Sequence, residues 1–352
     1  MLVRAVAAAI ERPKADRFSS FLLHAPLELL ARAALLPMVA PRHRSAARLR
    51  IARIAACYAD GGELQVPART ITSVPAAWSM LTSALGEGDP DAADAAITHL
   101  SARLSVGALC AGLVDRIAPC LGAAAHAPLL LAAQVDAQPR FDKLPYMLRP
   151  ATRMLAASAG QRLSWIDTGS EKAGPADLWS ALAEPPHIAV TTESIAPTML
   201  AVEADGIAAR LLTRATDAPG DKVACSLMSI AAVAMIQEGP RHVPYGWTHC
   251  LTLPQGLLAL RRYSADPGRL ARIAATYVLG FRATLGAARL DPDRPPPLAR
   301  SISEHVDYAA THGDAHLAKY VAACLAATAA DPTNANLFAA AAERLTNYWR
   351  ER

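Results

Sequence analysis

Aromatic residues are scarce in this chain. Phe, Trp and Tyr together make up 5% of its 352 residues, too few for the aromatic and β-branched runs that strands favour. Charge of one sign is scarce too, since the net charge of +4 is slight for this length. A nucleic-acid or anionic-membrane surface would want a larger basic excess with aromatics interleaved, so neither partner is expected. The main basic cluster, "PRHRSAARLRIAR" at 41–53, reads as a solvated helix face.

Long apolar runs are also missing. The longest uncharged one, "VACSLMSIAAVAMIQ" at 223–237, falls short of the ~20 residues that cross a bilayer and reads as a buried helix. The N-terminal "MLVRAVAAAIERPKADR" has Arg4 early and no continuous apolar segment followed by a small-residue cleavage pattern, so a first helix ending at Pro13 is expected. The six cysteines, Cys57, Cys110, Cys120, Cys225, Cys250 and Cys324, form no close pairs of the zinc-ribbon or redox kind. Their apolar helical settings suit reduced core thiols in a cytoplasmic protein. There is no G-x-G-x-x-G opening a strand–helix unit, no P-loop, no G-x-S-x-G elbow and no H-E-x-x-H helix. "GEGDPD" at Gly86 is a turn before a helix, so no nicotinamide or flavin Rossmann domain is expected.

Alanine is what the chain has in quantity, and alanine is the best helix former. Helical periodicity runs through most segments. In "PLELLARAALLPMV", Leu27, Leu30 and Ala34 share one face while Glu28 and Arg32 stand four apart on another. "GDPDAADAAITHLSARL" offers Asp89 or Asp91 as an N-cap, and "SADPGRLARIAATYVLGFRATLGAARL" opens from a turn. Loops are marked by Pro, Gly and polar clusters at 66–75, 167–177, 183–197, 216–222, 237–246 and 290–301. The expected fold is all-α: one large multi-helix domain over 1–352, with 291–299 around Pro295–Pro297 as the candidate connector.

The histidines divide into two groups. His43, His99, His187, His242, His305 and His312 stand beside charges, prolines or loop residues and read as surface or loop histidines. His24 ("FLLHAPLELL"), His126 ("AAAHAPLLLAA"), His249 ("WTHCLTLPQGLLAL") and His316 ("DAHLAKYVAACLAA") each open a long aliphatic helix or lie within one. A lone histidine on an apolar helix is ordinarily a core residue with a satisfied hydrogen bond. Repeated in four matching settings, the pattern points to a metal, which satisfies one nitrogen per buried ring at once. Pro26 and Pro128 each follow a histidine by two, so His24 and His126 are expected at a helix start or kink, where freed carbonyls can hold the second ring nitrogen.

Lys319 follows His316 by three residues on the same helix face, flanked by aliphatic residues. Either its stem snorkels and its charge stays in water, or the amine is buried with a lowered pKa. A buried neutral amine could be carbamylated by carbon dioxide and become an anionic oxygen ligand. Several neutral imidazoles suit iron(II), copper or zinc rather than magnesium or calcium.

The order of these segments resembles the questin oxidase-like family. The resemblance is carried by "LLHAPLELLARAALLP", "VDRIAPCLGAAAHAPLLLAAQVDA", "GQRLSWID", "THCLTLPQGLLAL" and "DAHLAKYVAACLAA", and it covers His24 to about Ala326. It implies a non-haem iron(II) oxygenase acting on an aromatic or polyketide-like natural product, by ring cleavage or Baeyer–Villiger-type oxygen insertion, in secondary metabolism. The metal ligands carried over are His24, His126, His249 and His316, with Lys319 as the anionic one. Use of NADPH is also implied, although the chain carries no nucleotide motif. The partners are then an aromatic small molecule and dioxygen, with iron(II) as Lewis acid and template. For the pocket, Gln134, Trp165, Tyr245 and Trp247 are the expected residues, with Asp314 hydrogen-bonded behind a ligand. A zinc-dependent hydrolase or isomerase, and a helical scaffold with histidines merely in its core, are the alternatives.

Overall fold

The computed structural model describes residues 1–14, 20–60, 63–66, 70–141, 144–167, 174–192, 194–217, 220–297 and 299–352, with the side chains of 20–23 left aside. Parts of the loops expected at 66–75, 167–177, 183–197, 216–222 and 290–301 lie outside these residues. Among the described residues the chain is all-α, with 17 α-helices and two isolated β-bridges, Lys14 with Leu64 and Cys120 with Arg162.

The helices in chain order are α1 (Leu2–Ile10), α2 (Ser20–Leu35), α3 (Arg44–Ala59), α4 (Val74–Glu87), α5 (Pro90–Ser101) and α6 (Val106–Ile117). Then come α7 (His126–Ala137), α8 (Arg149–Ala157), α9 (Leu178–Leu182), α10 (Ile195–Ala204), α11 (Ile207–Ala215) and α12 (Gly220–Gln237). The last five are α13 (Thr248–Ala259), α14 (Pro267–Leu285), α15 (Ile302–Thr311), α16 (Ala315–Ala330) and α17 (Ala335–Arg350). Local chemistry sets many of the starts. Asp89 caps α5 by accepting from the amides of Asp91 and Ala92, Asp266 caps α14, and Ser301 with Glu304 forms a capping box on α15.

One continuous apolar core runs from Val3 to Leu345. α12 is 18 residues long and apolar enough by composition to cross a membrane, but it packs against α13, α14 and α17 with 56% of its apolar window buried. The Pro295–Pro297 run lines a small cavity with Val233, Ile236 and Leu337, so it lies against α12 and α17.

Glu28 and Arg32, four apart on α2, do pair: both are buried, and Arg32 Nε donates to Glu28 Oε1 at 2.8 Å. Other expectations fall at this level. His99 and His305 are buried rather than at the surface, because both fall on the inward stripes of α5 and α15. Cys57 is exposed, unlike the core cysteines Cys110, Cys250 and Cys324.

Candidate metal centre

Four helices far apart in the chain close a circle: α2 packs on α7, α7 on α13, α13 on α16, and α16 on α2. Each supplies one histidine. Around the circle the ring centroids of His24 and His126 are 4.9 Å apart, His126 and His249 5.1 Å, His249 and His316 5.1 Å, and His316 and His24 4.7 Å, all edge to face. Side-chain nitrogens of His24, His126 and His249 lie within 4.8 Å of one another. Nitrogens sharing one metal at ~2.1 Å sit no more than ~4.2 Å apart, so closure on an ion needs only a small inward shift of the rings.

Local backbone aims the rings. Ahead of His126 stand three alanines with left-handed φ, Ala123, Ala124 and Ala125, at 55°, 50° and 56°. A non-glycine residue in this region costs roughly 1–2 kcal/mol, so such a triplet is a local strain held by the surrounding fold. Its effect is to point two carbonyls at the first residue of α7. His126 Nδ1 donates to Ala124 O at 2.7 Å and lies 3.2 Å from Ala123 O. A carbonyl only accepts, so Nδ1 carries the proton and Nε2 presents a lone pair to the centre. The same logic holds at His249, reached through a π-helical turn, Val243–Trp247. That turn leaves Tyr245 O to accept from His249 Nδ1, while His249 Nε2 is buried without a hydrogen-bond partner. At His316 the neighbour is a carboxylate: Asp314 caps α16 by accepting from the amides of His316 and Leu317, and its Oδ1 lies 3.5 Å from His316 Nδ1. His24 lies inside α2, two residues before Pro26, which is also inside the helix.

Lys319 is buried rather than snorkelling, at 5% exposure, and its Nζ lies 3.4 Å from His126 Nε2. Burial lowers its pKa to about 7, against the opposing pull of Asp314 and Glu28. Burial first, and then the charge on Lys319, lower all four histidine pKa values, so the rings are neutral near pH 7. Neutral imidazoles, with His249 Nε2 free of any hydrogen bond and His126 Nε2 facing only the Lys319 amine, fit a borderline metal ion. An ammonium among them would repel a cation, whereas a neutral or carbamylated Lys319 would not.

A cleft of about 580 Å³ opens on this layer, lined by His24, His249 and His316 together with Glu28, Arg50, Tyr245 and Asp314. Tyr245 stands 54% exposed at the cleft, edge-on to His316 with 5.0 Å between ring centroids. Trp247 does not line the cleft: two positions further in the same turn it points the other way, fully buried, with its ring 6.0 Å from the Arg282 guanidinium carbon. Gln134 is buried too and donates to Pro145 O, and Trp165 is buried in the segment Trp165–Asp167; neither lines the cleft. Arg50 and Glu28 are cleft residues that sequence reasoning missed. Arg50 belonged to a basic run read as solvated, but its guanidinium reaches Gly313 O and lies 3.4 Å from Glu28 Oε1. Nothing in the residue pattern marked it out from its arginine neighbours.

Comparison with known proteins adds no relative, since no family model, no curated protein and no solved structure matches this chain.

Proposed function

We propose that the four histidines hold one metal ion and that the chain is a non-haem iron oxygenase acting on an aromatic or polyketide-like small molecule. The observation that carries the reading is the closed ring of four neutral imidazoles, one from each of four helices, with a buried lysine amine against one of them. The resemblance to the questin oxidase-like family agrees with it and supplies the reaction type, ring cleavage or Baeyer–Villiger-type oxygen insertion.

Iron, when bound, would supply Lewis acidity and one-electron reactivity toward dioxygen. The remaining work falls to the chain. Ala124 O and Tyr245 O fix the tautomers of His126 and His249 and so keep two lone pairs aimed inward. Asp314 lies behind His316 and favours electron density on its ring. Carbamylation of Lys319 would exchange a repelling amine for an anionic oxygen donor. The cleft falls within the size range of small-molecule sites, and Arg50 places a positive group on its wall for a phenolate or carboxylate. His126 is the first residue of α7, whose N-terminus therefore faces the site.

The test is metal content by mass spectrometry on protein purified without an affinity tag, beside His126→Ala and His316→Ala. Near-stoichiometric iron, lost in both folded variants, is expected. Stoichiometric zinc would assign a hydrolase instead, and folded wild-type protein that stays empty after anaerobic iron(II) reconstitution would sink the metal site.

A further inference from the structure

A second cavity, of about 290 Å³, lies among the same four helices on the other side of the histidine layer. Its lining follows a simple rule. Leu27, Leu129, Thr252 and Lys319 each come three residues after a site histidine, and all four are buried. Further along each helix the lining grows more exposed. Along α2 it passes Ala31 and Ala34, and just beyond the helix Met38, which is 46% exposed; on α16 it passes Ala322 and Ala326 to the exposed Ala329. On α7 it passes Ala132 and Ala133 to the exposed Asp136 and Arg140. On α13 it passes from Thr252 to the half-buried Gln255. All four helices therefore run away from the histidines, and the cavity between them is a funnel with its mouth at the surface and its floor one turn beneath the ring.

Helical side chains lean toward the N-terminus of their helix, so floor residues reach up toward the layer above. Lys319 shows this directly, with its Nζ at His126 Nε2. Apart from that amine the floor is apolar, because the Thr252 hydroxyl donates to Thr248 O in its own helix and offers nothing to the cavity. The contrast with the cleft is sharp: one side carries Glu28, Arg50, Asp314 and Tyr245, the other chiefly Leu and Ala. An apolar cavity of this kind favours small uncharged molecules over water.

We propose that the funnel is a binding site and entrance for dioxygen, which reaches the histidine layer from below while the organic molecule occupies the cleft. The choice of dioxygen rests on the oxygenase reading; the funnel and its apolar floor do not. Separate approaches let both reactants meet at one layer without either having to leave for the other to come in.

Dioxygen is paramagnetic, so methyl relaxation in metal-free protein under oxygen pressure reads its presence directly. Strong enhancement is expected at Leu27 and Leu129, well above that at the exposed Leu49. Ala326→Phe, and separately Ala133→Phe, place a ring across the half-buried middle of the funnel, about three and about two helical turns from the histidines. Either folded variant should lose the enhancement at Leu27 and Leu129 and keep it at Met38. Enhancement at the floor no greater than at Leu49, or unchanged in both folded variants, would overturn the proposal. Because no metal is present in this experiment, a failure of the chain to bind iron would sink the oxygenase reading while leaving the relaxation result intact.

Discussion

The Lys319 amine lies 3.4 Å from an imidazole nitrogen and beneath three further histidine rings, with almost no solvent contact. Such an amine stays protonated in the unfolded chain up to the ordinary lysine value of 10.5 but loses its proton near 7 in the folded one. Between these two values unfolding takes up a proton, so stability must rise with pH there and fall as pH drops toward 7. The four histidines extend the trend downward. Their folded pKa values lie below the ordinary 6.5, so the unfolded chain binds more protons below that pH and the folded state loses stability there. Urea midpoints of the metal-free protein are therefore expected to climb from pH 5 to pH 9. Lys319→Met should raise the midpoint at pH 7, flatten the climb between 7 and 9, and shrink the acid limb without abolishing it, because burial, the larger cause of the lowered histidine pKa values, remains. A wild-type midpoint that is level across 7 to 9 would mean that the amine is solvated.

At the scale of elements, the site depends on how closely its four helices approach. Gly256 on α13 packs against α7, where a Cβ would stand 2.8 Å from Leu129 Cα, a backbone atom that cannot move alone. Alanine is the better helix former by roughly 1 kcal/mol, yet Gly256→Ala should destabilise by about 1–3 kcal/mol, because overpacking outweighs propensity. The same wedge pushes α7 from α13, and with them His126 from His249, so metal affinity should fall as well. Urea unfolding and iron titration of that variant check both; a neutral or stabilising effect would mean that the helices are not in close contact. Helix identity was legible from periodicity, and one start from its cap, as Asp89 illustrates. So was the helix start at His126, where the proline two residues on was the signal. For His24 the same signal gave a proline inside a continuing helix instead. The left-handed alanine triplet was not legible, since alanine carries no local preference for that conformation.

Across the whole molecule, the four site helices are separated by long excursions, and the site is complete only when the excursions have folded back. Arg32 shows how the pieces are tied. From α2 its guanidinium donates to Ala309 O, Ala310 O and His312 O, at 3.0, 2.9 and 2.8 Å, fastening α2 to the segment that leads into α16. An ion bound to all four helices binds only the folded chain, so it stabilises by mass action. A thousandfold excess over Kd gives about 4 kcal/mol, which for a chain of this length is on the order of 5 °C in Tm. Calorimetry of the iron-loaded protein before and after chelation should show a fall of that size, absent in His126→Ala. An unchanged Tm on chelation of a protein shown to carry iron would mean that the ion sits elsewhere.

The sequence by itself determined the helical class, the cap at Asp89 and the grouping of the four histidines by setting, because propensity, capping and hydrophobic setting are properties of short segments. It also left open whether Lys319 snorkels or is buried, since a single helix has no inside until others pack on it. Tertiary structure decided that question, brought the four rings into one layer, turned Tyr245 to the cleft and Trp247 away from it, and drew Arg50 out of an apparently solvated surface to meet Glu28. The funnel belongs wholly to that level, because a cavity is the space between helices and no one of them encodes it. The physical reason is the same in each case: burial and proximity across distant segments come from packing, and packing is settled only when every helix is in place.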